Sequence, residues 1–130
     1  MLPRNYKFTA QNACGQTIAI SGVIAHMRRW KRSSDGSITF ESAEATVLEN
    51  TGTLAHGAYL DGTAQDNSTD KWEGGTVEFT VTAPTSANGV VTLLFKRSTD
   101  GTDFDDDATA IEIERLSFTA AGIKRLTFQI

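Results

Sequence analysis

The chain has 130 residues, 39 % hydrophobic and 22 % charged, with a net charge of −4. That length suits one domain with its own core, and the apolar content is too high for a disordered chain. An acidic balance argues against nucleic-acid binding, where affinity comes largely from neutralised phosphates, and no apolar run approaches the roughly 18 residues of a membrane span.

Residues 1–5 lack the apolar stretch of a signal peptide and read as a short arm ahead of a single domain over residues 6–130, made in a cytoplasm. A strand is expected at Tyr6–Ala10, then a turn through Gly15. Cys14 is the only cysteine, so no intrachain disulfide can form, and it reads as a small residue of an early strand or loop. Thr17–Arg32 is rich in β-branched residues, which favours strand, with a bulge or bend at Ser21-Gly22. A helix over Val23–Lys31 is the competing reading. Strands are expected next at Ile38–Phe40 and Ala45–Glu49, with a weaker one at Thr53–Leu60. Asp61–Asp70 has no large apolar residue and reads as a long loop.

The second half alternates more cleanly. In Thr76–Thr82 the residues Val77, Phe79 and Val81 share one face, the period-2 pattern of a half-buried strand. Pro84 and Asn88-Gly89 bound a loop. Val90–Arg97 is apolar on both faces, with Val90 and Leu94 opposite Val91, Leu93 and Phe95. That pattern predicts a covered strand or an apolar face awaiting a partner chain. Ala110–Glu114 alternates, the phase slips at Arg115-Leu116 as a bulge would make it, and Ile123–Ile130 closes the chain. About eight short strands with turn signals between them predict an all-β fold, a single antiparallel β-sandwich of jelly-roll type in two similar halves.

The halves are marked by a doubled motif. Lys31-Arg32-Ser33-Ser34-Asp35-Gly36 recurs 65 residues later as Lys96-Arg97-Ser98-Thr99-Asp100-Gly101, each copy coming after an aromatic residue, Trp30 or Phe95. Asp-Gly supplies the left-handed position that reverses a hairpin, so the repeat reads first as turn chemistry. The charge does not repeat. Residues 1–65 hold six Lys and Arg against five Asp and Glu, and residues 66–130 six against eleven, or +1 and −5.

No nucleophile elbow, phosphate loop or paired-carboxylate pattern is present, and His26 and His56 lack ligand-spaced companions, so neither an enzyme nor a cofactor is expected. Asp100, Asp103, Asp105, Asp106 and Asp107 form an acidic loop whose spacing differs from a calcium loop. Arg28, Arg29 and Trp30 mix charge with an aromatic ring and are candidate partner contacts, although strand alternation would split them between two faces. Trp72 is a candidate sugar-stacking ring or the cap of an open core end.

Ser33–Phe40 resembles the Asp-box turn of sialidases and related propellers, with Ser37 in place of its glycine and Phe40 of its tryptophan; in that family the box is a structural turn. The segment Asn88–Gly101 and the closing Ala121–Phe128 are similar to strand-turn segments of small β-sandwich structural proteins of tailed bacteriophages, a resemblance spanning about residues 72–130. It implies a non-enzymatic accessory virion component, decorating a capsid or associated with a tail, made in the host cytoplasm and homo-oligomeric. Such a protein would bind other virion proteins through sheet edges, the N-terminal arm and the face around Val90 and Leu94. The alternative is a carbohydrate-binding sandwich using Trp72.

Overall fold

The computed structural model describes residues 2–130, so Met1 of the expected arm lies outside the described residues. Ten strands succeed one another: β1 (Asn5–Ala13), β2 (Val23–Arg32), β3 (Ile38–Phe40), β4 (Ala45–Glu49), β5 (Tyr59–Asp61), β6 (Gln65–Asp66), β7 (Gly74–Ala83), β8 (Gly89–Ser98), β9 (Ile111–Phe118) and β10 (Gly122–Gln129). They form two antiparallel sheets. The first runs β5-β1-β8-β9, with β6 also on β1; the second runs β10-β7-β2-β3, with β4 also on β2. The protein is thus a β-sandwich. The first and last strands, β1 and β10, lie in different sheets.

Alternation decides which side chains meet between the sheets. Tyr6, Phe8 and Ala10 of β1 and Val91, Leu93 and Phe95 of β8 face Val77, Phe79 and Val81 of β7 and Val23, Ala25 and Met27 of β2, all buried. The Phe95 ring lies 5.3 Å from both Tyr6 (stacked) and Phe8 (edge-on). Each such large side chain contributes about 1.5–3 kcal/mol when fully buried.

Val23–Arg32 is a strand and not a helix, because β7 pairs with it along one edge and β4 and β3 along the other. The long apolar run divides at Ser21-Gly22 in a tight turn. Gly22 N–H donates to the Ala19 carbonyl at 3.0 Å, Ser21 has φ 59°, and a side chain on Gly22 would collide with Ile18. Of the expected strand Thr53–Leu60, Leu54 makes an isolated bridge to Ile18 and regular pairing begins at Tyr59. The phase slip near the chain's end is a bulge between the Leu93↔Glu114 and Leu94↔Glu112 pairs, slightly earlier than the slip read at Arg115. Residues 2–4 form no free arm: Leu2 is buried, and Asn67 N–H donates to the Arg4 carbonyl at 2.6 Å.

Strand order repeats between the halves. The first sheet joins β5-β1 of the first half to β8-β9 of the second; the second sheet joins β10-β7 of the second half to β2-β4 of the first. Turns repeat at the same 65-residue offset. Ser21 and Ser86 both have positive φ (59° and 65°), as do Gly36 and Gly101 (87° and 81°). The strands between them are not superimposable in side-chain phase. Phe95 points into the core, whereas Trp30, between inward Arg29 and Lys31, points out.

Candidate functional site

Strand β2 splits its basic residues as alternation requires. Arg29 and Lys31 turn inward at the open end of the sandwich and lie 5.7 Å and 4.7 Å over the Trp72 ring. Arg29 also makes a two-pronged ion pair with Glu41, Nε to Oε2 at 2.9 Å together with a second Arg29–Glu41 contact. The Glu41 hydrogen bond raises the Arg29 pKa above its ordinary value despite burial, and the Arg29 hydrogen bond holds Glu41 below the usual carboxylate range. Burial raises the Tyr6 hydroxyl pKa beside them.

Trp72 is 8 % exposed. Asn67 brackets its backbone, accepting from Trp72 N–H at 2.6 Å and donating to its carbonyl at 2.9 Å. The ring caps the core end, under two cations, and offers no open face for stacking a sugar. Its Nε1 has no hydrogen-bond partner among the described residues.

Arg28 and Trp30 remain on the outer face of the second sheet. Across the hairpin, Phe40 pairs with Trp30 and Ile38 with Arg32. The Arg28 guanidinium sits 5.6 Å over the Phe40 ring and donates from Nε to the Glu41 carbonyl at 2.9 Å. Phe40 is 55 % exposed. Sequence reading missed Phe40 and Ile38 as surface residues. The signal was the turn itself, because a hairpin at Ser33–Gly36 sets Phe40 beside outward-facing Trp30.

Val90 and Leu94 do not form the exposed apolar face expected of them. Leu94 is only 7 % exposed and Val90 is half-buried. Strand β8 is central, with β1 on one side and β9 on the other, and the chain's own groups pack onto its outer face. Lys96, on that face, is 5 % exposed, its ammonium 3.1 Å from Asp61 and 2.5 Å from Asp107. Asp61 also accepts from Thr9 Oγ1 at 2.6 Å and Lys7 Nζ at 2.9 Å. Burial pushes the Asp61 carboxyl up, but hydrogen bonds from Thr9, Lys7 and Lys96 outweigh it and leave its pKa at about 2. Lys96 is opposed by burial and raised on balance by Asp107 and Asp61.

The acidic loop is mostly occupied with its own geometry. Asp100 Oδ1 accepts from the backbone N–H groups of Asp103 and Thr102 at 2.9 and 2.8 Å and from Ser98 Oγ at 2.9 Å, which brings its pKa to about 2. Asp105 accepts from Arg97 N–H at 2.9 Å and Nε at 3.3 Å. The Asp106 carbonyl takes the N–H groups of Thr109 and Ala110. Asp103 and Asp106 line an open cleft of about 750 Å³ together with Arg4, Arg97 and Phe104. Among the described residues no group of three or more His, Cys, Asp or Glu is arranged to hold a metal ion.

The remaining candidates make local contacts. His56 Nδ1 accepts from Gly15 N–H at 3.0 Å, His26 Nδ1 lies 3.2 Å from Thr46 Oγ1, and Cys14 is buried. Comparison with known proteins finds no matching family model, no matching curated protein and no matching solved structure.

Proposed function

We propose that the protein is a non-enzymatic structural component of a bacteriophage virion, decorating a capsid or associated with a tail, that acts through contacts with other virion proteins and with copies of itself. The observation that carries this reading is where the unsatisfied groups lie. Potentially reactive side chains are drawn into turns, ion pairs and the core, while the large apolar side chains left open stand mostly on edge strands: Ile38 and Phe40 on β3, Tyr59 on β5, Ile111 on β9 and Ile123 on β10, with Ile20 in a turn. Surfaces of that kind serve association, and symmetric particles multiply a modest contact over many copies. The corresponding localisation is the virion, after synthesis in the host cytoplasm.

Quantitative mass spectrometry of virions purified from the host that carries this gene tests the proposal. The expected result is the chain at many copies per particle. Its absence from washed particles, while established capsid and tail proteins are detected, would overturn it.

A further inference from the structure

Strands β9 and β10 are the longest edge strands of their sheets, eight residues each, and each is paired on one side only. Residues 119–121 carry the chain from one sheet to the other, so the two free edges border one flank. The opposite flank is laced shut, for example by Thr63 N–H donating to the Val47 carbonyl at 3.1 Å. On the open flank Ile111 is 45 % and Ile123 68 % exposed. At its connected end Lys124 reaches from one sheet to the other, donating to the Ser117 carbonyl and lying 5.3 Å over the Phe118 ring. At its far end an apolar crevice of about 220 Å³ opens, lined by Leu2, Pro3, Phe95, Ile111, Ile113 and Ile130.

We propose that this flank is a homotypic interface, on which a second copy docks edge to edge about a two-fold axis normal to the sheets, β9 against β9 and β10 against β10. The inference rests on the proposed role in protein–protein contact and names the surface that role needs. A second copy is the partner certain to present two free strands at the same separation, and an isologous contact closes on itself.

Charge is complementary in this pairing. Glu112 and Arg115 share the outer face of β9 and bridge each other at 3.0 Å. Antiparallel self-pairing centred between them sets each Arg115 opposite Glu112 of the second copy, so the two internal pairs of the separate copies become two pairs across the interface. On β10 the basic residues lie off-centre. Self-pairing about Leu126 places Lys124 and Arg125 against Phe128 and Thr127 of the second copy, so like charges never meet.

Sedimentation velocity on the full chain over about 1–200 μM tests this. The expected species has twice the 14.0 kDa chain mass. Arg115→Glu alone and Glu112→Arg alone should each weaken the dimer roughly tenfold or more by setting like charges opposite. An equimolar mixture of the two variants should restore it as a mixed pair, which also shows that both are folded. Phe40→Ser, on the opposite flank, should leave the dimer unchanged. A chain monomeric throughout, a dimer indifferent to both charge reversals, or one lost with Phe40→Ser would overturn the interface. A monomer that is nevertheless abundant in purified virions would overturn the interface alone; a charge-sensitive dimer absent from virions would support the interface and remove the virion role.

Discussion

The two halves of the molecule share a strand order and a turn motif but differ in how they treat the segment beyond the turn. After Ser33–Gly36 the chain forms the hairpin strand β3, whose three residues are all exposed. After Ser98–Gly101 the equivalent stretch is folded down, because Lys96 and Arg97 on β8 hold Asp107 and Asp105. In both turns an aspartate caps the next N–H groups along the chain: Asp35 accepts from Ser37 at 2.9 Å, and Asp100 from Thr102 at 2.8 Å. Turn chemistry is therefore local and transferable, whereas the fate of the loop depends on which side chains flank it. Lys31 turns into the core end over Trp72; Lys96, its sequence counterpart, emerges on the opposite side of its strand beside Asp61.

That contrast can be broken most forcefully at the matched aromatics. Phe95→Ala should cost about 3–5 kcal/mol, since it empties a packed site between Tyr6 and Phe8. Trp30→Ala, on the outward face, should cost about 1 kcal/mol. Urea unfolding of both variants measures the gap, and equal losses would show that Trp30 and Phe95 are equivalent after all.

A smaller effect is expected at the lysines. Lys96→Ala should cost about 1–2 kcal/mol and raise amide exchange across residues 101–110, because Asp61 and Asp107 lose their shared cation. Lys31→Ala should leave that loop's exchange unchanged. Protection of residues 101–110 that survives Lys96→Ala would mean that the loop is held by its backbone alone.

The same network has a pH signature. Asp61 has a folded-state pKa of about 2, below the ordinary value of roughly 3.9. A depressed carboxylate stabilises the fold fully above its unfolded pKa and loses that contribution as pH falls through the folded one. Nearly half of the side chain faces solvent, which discounts the effect to about 1 kcal/mol. Unfolding free energy should therefore fall by that amount between about pH 5 and pH 2 in the native chain, and by less in Asp61→Asn. Parallel pH curves would remove Asp61 from the account.

The smallest contrast concerns the two glycines. Gly36→Ala and Gly101→Ala each place a side chain at positive φ, at a cost of about 1 kcal/mol. Gly36 has open space around it, whereas a side chain on Gly101 would stand 3.2 Å from Asn5 Oδ1. Gly101→Ala should be the worse of the two by a few tenths of a kcal/mol in melting experiments. The reverse order would place the strain in the first turn.

Much of this architecture is carried by the sequence itself. Period-2 alternation at Val77, Phe79 and Val81 and at Ile123–Ile130, the turn residues, and the doubled Ser-x-Asp-Gly motif are local properties, and they specify an all-β sandwich in two similar halves. Alternation alone separates Arg28 from Arg29. Tertiary structure decided the rest, because exposure of a side chain depends on what packs against its strand from far along the chain. Val90 and Leu94 form an apolar row in sequence. Only the central place of β8 and the meeting of Lys96 with Asp61, 35 residues away, and Asp107 show that their face is already covered. Trp72 reads equally as a platform or a plug until Arg29 and Lys31 are placed over it. Ile111 looks like an ordinary core residue until its sheet ends beside it, and Phe40 until the hairpin sets it beside outward-facing Trp30. Strand periodicity is written within a few residues, whereas sheet edges are set by the whole strand order, and the surfaces offered to partners lie at those edges.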